Sequence, residues 1–264
     1  MNKKPRTLFV IGDAHGQYHE FAAVLIDCGL MSIELEWTGK DAILLQIGDV
    51  LDRGPMPLEI DKLLDILQPQ AKAAGGEIIR LMGNHELEIL RRNYFITSLP
   101  YAFIEPYRCK LIKDVLEGKV CAAYGARGFL FTHAGVCDNL YAVLKKEITK
   151  KPMPSVLAKH INNIFKDAVA TAHYHHPIFN VSYLRGGGER FGGIFWEDVN
   201  SLFENHHLCP FKQIVGHTPM HDIAFSEDKK IIVVDVGMEE VFNGNFKYLK
   251  IIKNGKFQIK RTGA

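Results

Sequence analysis

Three times in its first third, the chain passes through a short apolar stretch, a polar turn containing glycine, and a segment with helical spacing. Leu8–Ile11 leads into Gly12-Asp13-Ala14-His15-Gly16 and then Tyr18–Cys28. Ala42–Ile47 leads into Gly48-Asp49-Val50-Leu51-Asp52-Arg53-Gly54 and then Leu58–Leu67. Ile78–Met82 leads into Gly83-Asn84-His85-Glu86 and then Leu87–Arg92. Apolar runs of this length alternating with helices predict β-α-β units whose strands are buried on both faces. In such sheets, chemistry gathers in the loops beyond the carboxyl ends of the strands. All three turns stand there.

The middle of the chain reads differently. Tyr94–Gly118 and Asp138–Ala172 have mixed, helical character interrupted by Pro100, Pro106, Pro152 and Pro154. A strand pair, Lys119–Tyr124 and Gly128–Thr132, separates them and ends at His133-Ala134-Gly135. The glycine-rich stretch Tyr183–Gly193, with Arg185 and Arg190, is expected to be a loop. Strands return at Lys212–Val215, which ends in Gly216-His217, and at Ile231–Val236, Phe246–Ile252 and Lys256–Lys260. Asn243-Gly244 and Asn254-Gly255 are hairpin-turn signals. A length of 264 residues suits one α/β domain over 1–264, with 138–191 as a helical or loop cap inserted over the site.

Composition narrows the function classes. A formal charge of +2 argues against an electrostatic nucleic-acid binder, which must neutralise several phosphates. The five cysteines are scattered without a Cys-x-x-Cys pair, which fits a reducing compartment and argues against a disulfide framework or thiolate zinc site. No apolar run of signal or membrane-spanning length is present, so a cytoplasmic protein without membrane contact is expected.

The polar residues at the strand ends are Asp13, His15, Asp49, Asp52, Arg53, Asn84, His85, His133 and His217. Carboxylate, amide oxygen and imidazole without thiolate suit Mn²⁺, Fe²⁺ or Zn²⁺. Asp13 and His15 lie two apart on one turn and can face the same ion. Asp49 can offer one oxygen to each of two ions, and Asn84, His133 and His217 would complete the second. Two ions about 3.5–4 Å apart can clamp a phosphoryl group and activate a water. His85 is placed to protonate a leaving oxygen, Asp52 to orient its ring, and Arg53 to offer a planar fork to phosphate. Any one of these turns alone is ordinary turn chemistry; their conjunction is what points to a site. His173-Tyr174-His175-His176 lacks a ligand pattern around it, and His206, His207 and His221 read as surface residues. Glu86 reads as a carboxylate favoured at a helix N-terminus.

At these residues the sequence resembles the phosphoprotein phosphatase family of metallophosphoesterases. The motifs are Gly12-Asp13-Ala14-His15-Gly16, Gly48-Asp49-Val50-Leu51-Asp52-Arg53-Gly54, Gly83-Asn84-His85-Glu86, His133-Ala134-Gly135 and Gly216-His217. The resemblance covers roughly Thr7 to Val236, and Ala74-Gly75-Gly76-Glu77 is similar to the Shewanella-like branch. It implies a calcineurin-like α/β fold, a central β-sandwich of mixed sheets flanked by helices. It also implies two divalent ions, manganese foremost, with Asp13, His15 and Asp49 on one and Asp49, Asn84, His133 and His217 on the other. His85 would act as general acid with Asp52, and Arg53 and Asn84 would meet the phosphate. Phe195-Trp196-Glu197-Asp198 resembles a block that precedes a second phosphate-binding arginine in many relatives, yet no arginine follows Trp196 until Arg261. Arg185 or Arg190 is expected to fill that role.

Three functions compete on these residues. The first is hydrolysis of phosphoserine, phosphothreonine or phosphotyrosine in a protein or peptide, by water activated between two metals and without a phosphoenzyme. The second keeps the metals and takes a dinucleoside polyphosphate. The third, a non-catalytic metal-binding scaffold, would have shed a ligand, and every expected ligand is present.

Overall fold

The computed structural model describes residues 6–238, 246–252 and 255–262. The expected β-α-β units are there. β1 (Leu8–Ile11), α1 (Tyr18–Asp27), β2 (Ile43–Gln46), α2 (Pro57–Ala73), β3 (Glu77–Leu81) and α3 (Asn84–Leu90) follow one another. β1, β2 and β3 pair in parallel, Leu8 opposite Ile43 and Ile43 opposite Glu77. Next come α4 (Tyr101–Glu117), β4 (Val120–Cys121), β5 (Ala123–Ala126) and β6 (Phe129–Thr132). Then follow α5 (Asp138–Glu147), α6 (Pro154–Thr171) and α7 (Val199–Glu204), with short 3₁₀ turns at Pro177–Phe179 and Tyr183–Arg185. β7 (Lys212–Val215), β8 (Ala224–Phe225), β9 (Ile231–Val233), β10 (Lys247–Ile251) and β11 (Phe257–Arg261) complete the order.

These strands make two mixed sheets, β11-β10-β1-β2-β3-β4 and β5-β6-β7-β9-β8. The pleat's two-residue period explains their face-to-face stacking. Leu8, Val10, Ile43, Leu45, Ile79 and Leu81 of the first sheet share one apolar cluster with Phe129, Phe131, Ile214 and Ile232 of the second. The alternate residues Phe9, Ile11, Leu44, Ile78, Leu130, Val215 and Ile231 join the helices in a second cluster. Both faces of each central strand are therefore dry, which is why the strands read as unbroken apolar runs. The result is the expected sandwich flanked by helices.

Four local readings change. Lys119–Tyr124 is not one strand: β4 pairs with β3 in the first sheet, while β5 pairs with β6 in the second. The crossover at Ala122 is secured by Asn162 of α6, whose Oδ1 accepts the Ala122 and Ala123 N–H groups at 2.9 Å each. Its Nδ2 donates to the Ala123 carbonyl at 2.8 Å. Pro106 sits inside α4 instead of interrupting it, because it lies on the exposed face, where water can reach the Ala102 carbonyl that loses its N–H partner. β9 stops at Val233, leaving Asp235 beyond the strand end, and β8 is an additional short strand. The β10–β11 hairpin forms around the Asn254-Gly255 signal, with Asn254 itself outside the described residues. Asn243-Gly244 also lies outside them.

Within 138–191, α6 buries Leu157, Ala158, Ile161 and Phe165 and packs on β5, β6 and α4. The end of this segment brings Arg185 to the strand-end loops through Thr218. No helix among the described residues is long and apolar enough to cross a membrane.

Candidate active site

β1, β2 and β3 point the same way in one sheet, and β6, β7 and β9 do so in the other. Their carboxyl ends therefore converge at one end of the sandwich, bringing together residues up to 204 positions apart. His15, Asp49, Asp52, Arg53 and His217 all adopt left-handed backbone, with φ of 41°, 52°, 65°, 60° and 69°. Non-glycine residues enter that region at a cost of order 1–3 kcal/mol, which clusters at functional sites. Glycine is required where chains touch: a Cβ on Gly83 would stand 2.0 Å from Asp49 Oδ1, and one on Gly216 2.2 Å from Asp13 Oδ1.

The turns are stitched by backbone. The N–H groups of Ala14 and His15 donate to the Asp49 carbonyl at 3.0 and 2.9 Å, and the Gly216 N–H to the His133 carbonyl at 2.8 Å. Two histidines are oriented by carbonyls, which can only accept. His15 Nδ1 lies 2.9 Å from the Leu51 oxygen and His133 Nδ1 3.0 Å from the Ile47 oxygen, so in both rings Nδ1 carries the proton. The remaining Nε2 lone pairs then face other acceptors. His15 Nε2 stands 3.6 Å from Asp49 Oδ2, and His133 Nε2 stands 3.4 Å from the same oxygen. Asn84 Oδ1 lies 2.9 Å from His133 Nε2 and 2.7 Å from His217 Nδ1.

Acceptors converging in a buried place call for a cation. Asp13 Oδ1 and His217 Nε2 are buried without a hydrogen-bond partner. Asp49, His133 and His217 form one group whose donor atoms lie within 4.8 Å of one another, and His15, Asp49 and His85 form another. Burial pushes His15 down to about 4 and His217 well below the ordinary imidazole range, leaving both neutral and able to ligate. Burial, with Asp235 and Asp49 nearby, pushes the Asp13 carboxyl up. Burial opposes charge on His133 as well, but the Asp49 carboxylate outweighs it and holds the ring above its usual range. The unpartnered Asp13 Oδ1 and His217 Nε2, with the Asp49 carboxylate among the rings, make the donor set one that fits a metal centre.

Beside these groups, His85 Nδ1 lies 2.7 Å from Asp52 Oδ2. Against the opposing effect of burial, Asp49 and Asp52 hold His85 above its ordinary range. Burial would likewise raise Asp52, yet its bond to His85 and the bonds from Ser98 and Thr97 hold it below the usual carboxylate range. An imidazole whose charged form is favoured in this way, next to a metal-fit cluster, can hand a proton from Nε2 to a leaving group.

The profile of the calcineurin-like phosphoesterases matches residues 6–222. The chain belongs to that family. Shewanella-like protein phosphatase 1 of Plasmodium berghei is 25% identical over 277 residues, covering 96% of this chain and 73% of that protein. Shewanella-like protein phosphatase 2 of Arabidopsis thaliana is 40% identical over 85 residues, 32% of this chain and 22% of that one. Both of these relatives bear the name of Shewanella-like protein phosphatases. The cold-active protein-tyrosine phosphatase of a psychrophilic Shewanella shares the fold. Its TM-score is 0.63 at 17% identity, over 96% of this chain and 80% of that one. Calcineurin-like phosphoesterases use a dinuclear metal site, and this member is a metal-dependent hydrolase of phosphate esters.

In this phosphoesterase, several supporting residues escape a reading of the sequence. Glu86 does cap α3 through the Gly83 N–H at 3.0 Å, but its carboxylate also accepts the N–H groups of Asp49, Val50 and Leu51 at 3.0, 2.9 and 3.1 Å. It thereby holds the strained Asp49 turn. Gln46 bonds the Gly48 backbone on both sides. Thr97 Oγ1 and the Ser98 N–H donate to Asp52 Oδ1 at 2.8 and 2.7 Å. Asp235, buried beyond β9 and pushed up to about 6 by that burial, stands close enough to raise Asp13. Its signal was present, an apolar run closing in Asp-Val-Gly, but extending the strand to Val236 hid it.

The arginines part company. Arg53 is exposed at the rim and its charge reaches Asp13, His15 and Asp235. Arg185 pairs through Nε with Asp198 Oδ2 at 3.1 Å and donates to Thr218 Oγ1, next to His217. Arg190 instead lies over the Phe191 ring and lines a separate cavity with Cys137 and Asn139. Trp196 packs edge-on to His217 and donates to Glu88 Oε1 at 3.3 Å, while Glu197 of the same block is buried and accepts the Gly192 N–H. His206 is a correction: it is 2% exposed and bonds Asp228, so it is not a surface residue.

Proposed function

We propose that the chain is a phosphoprotein phosphatase that hydrolyses phosphomonoesters on serine, threonine or tyrosine side chains. The observation that carries this reading is the convergence of Asp49, Asn84, His133 and His217, with Asp13 Oδ1 and His217 Nε2 left without partners, beside the His85–Asp52 pair. Asp13, His15 and Asp49 would hold one divalent ion, and Asp49, Asn84, His133 and His217 the other, with manganese the ion proposed. When bound, two such ions neutralise phosphoryl charge and make a water acidic enough to attack.

The chain's own residues do the rest. Asp52 keeps His85 oriented through Nδ1, and His85 Nε2 delivers the proton to the departing side-chain oxygen. Arg53 binds phosphate oxygens at the rim. Arg185 serves as the second clamp by exchanging its Asp198 partner for phosphate, and the loop that carries it, with the rest of 138–191, selects the substrate. The protein-phosphatase relatives named above support a phosphorylated protein as partner, and a cytoplasmic setting accords with the dispersed free cysteines.

The test is turnover of p-nitrophenyl phosphate, a phosphopeptide panel and dinucleoside tetraphosphate by metal-stripped protein with and without Mn²⁺. Phosphopeptide turnover that requires the ion is expected. Preference for the dinucleotide would move the substrate to nucleotide anhydrides, and turnover unaffected by stripping would overturn the reading.

A further inference from the structure

We propose that His206, His207 and Asp228 form a separate binding site for one zinc-like divalent ion, at the end of the sandwich opposite the phosphoesterase centre. His206 and His207 lie in the loop entering β7, and Asp228 in the turn entering β9. β7 and β9 run parallel, and their far ends carry His217 and Asp235.

His206 is buried, and its Nδ1 lies 3.0 Å from the Leu202 carbonyl at the end of α7. A carbonyl only accepts, so Nδ1 holds the proton and Nε2 faces Asp228 Oδ1, 3.0 Å away. That oxygen is itself held by Ser226 Oγ at 2.8 Å and the Lys230 N–H at 3.0 Å, which aims the carboxylate at the ring. Lys230 Nζ attends the other oxygen, Oδ2, at 3.8 Å. The exposed His207 ring stands beside His206 with centroids 4.8 Å apart.

One donor atom from each of the three residues lies within 4.8 Å of the others. An ion needs bonds of about 2.0–2.2 Å to such donors, a distance the exposed His207 and Asp228 can reach by small rotamer changes. Two imidazoles and a carboxylate favour zinc, nickel or copper over magnesium or calcium. The Leu202 carbonyl and Ser226 hydroxyl supply the outer hydrogen bonds that orient such ligands. A protonated His206 paired with Asp228 is the competing account, and it gives His207 no part. The ion would brace the entrances of two strands whose exits carry phosphoesterase residues.

The test counts metal. Mn²⁺-loaded protein is dialysed against micromolar Zn²⁺, and total manganese plus zinc per chain is measured for wild type, His207→Ala and Asp228→Asn. Exchange at the phosphoesterase centre leaves that sum unchanged. The wild type is expected to hold one equivalent more than either variant, with equal phosphate-ester turnover in all three and a zinc-dependent rise in Tm only in the wild type. Because His207 is exposed, its removal leaves the fold intact. Equal sums would overturn the site, as would an extra equivalent that both variants retain.

Discussion

Two polar clusters lie along β3, one on its helix-facing side and one beyond its carboxyl end, and they solve the problem of buried charge in opposite ways. On the helix side, Arg80 pairs with Asp61 and, at 2.7 Å, with Asp65. Lys110 meets Asp61, Asp65 and Asp114 at 2.8, 2.9 and 2.6 Å. Each carboxylate meets a cation, so the cluster closes on itself. Buried charge that is paired in this way is structural. Beyond the carboxyl end of the same strand, Asp13, Asp49, Asn84, His133 and His217 bring acceptors together, with Asp13 Oδ1 and His217 Nε2 unmatched. The difference shows which cluster binds something: a closed network needs no guest, and an unclosed one keeps its stability cost for a ligand to relieve.

Asp49→Asn should break the comparison most sharply. Removing the shared carboxylate is expected to lower kcat about 10³-fold or more, near 4 kcal/mol of barrier, and to abolish the rise in Tm on adding Mn²⁺. Turnover within tenfold of wild type would take Asp49 out of the centre. Arg80→Leu should do the reverse. Leaving the buried Asp61 with Lys110 as its remaining cation is expected to cost about 2–3 kcal/mol of stability in urea unfolding, with metal content per folded chain unchanged. Loss of metal at full stability would show that the two clusters are not separate.

Two smaller changes sharpen the contrast. Asn162→Ala removes the amide that satisfies the sheet crossover. It is expected to cost about 1–3 kcal/mol, the desolvation of unmet backbone groups, with kcat unaltered at a temperature where the chain stays folded. Thr97→Val frees one of the bonds that hold Asp52, worth about 0.5–1.5 kcal/mol. It should lower kcat by a few-fold to tenfold with KM and Tm nearly unchanged, measured on p-nitrophenyl phosphate. A fall in Tm instead of kcat would make Thr97 a purely structural contact.

Much of the strand-end cluster was legible in the sequence, and particular residues show why. Asp13, His15, Asp49, Asp52, Asn84 and His85 each follow an apolar run closely, so local order along the chain announces a strand end and a ligand-type side chain together. Asp235 carried the same signal, obscured by a strand drawn three residues too long. The boundary of Lys119–Tyr124 was hidden for another reason. Nothing local distinguishes one strand from two that join different sheets, when the deciding hydrogen bonds come from Asn162 on a distant helix.

The sequence by itself determined that strands alternate with helices, that polar turns close them, and that their side chains suit divalent ions such as Mn²⁺, Fe²⁺ or Zn²⁺. It could do so because strand period, turn chemistry and ligand type are properties of neighbours. Only the tertiary structure decided that two sheets aim their carboxyl ends at one place, and that carbonyls of Leu51 and Ile47 present Nε2 from His15 and His133. It alone turned Arg185 toward His217 and Arg190 away, and set His206 against Asp228. Those outcomes depend on distances between residues far apart in the chain, which packing sets and no local pattern records.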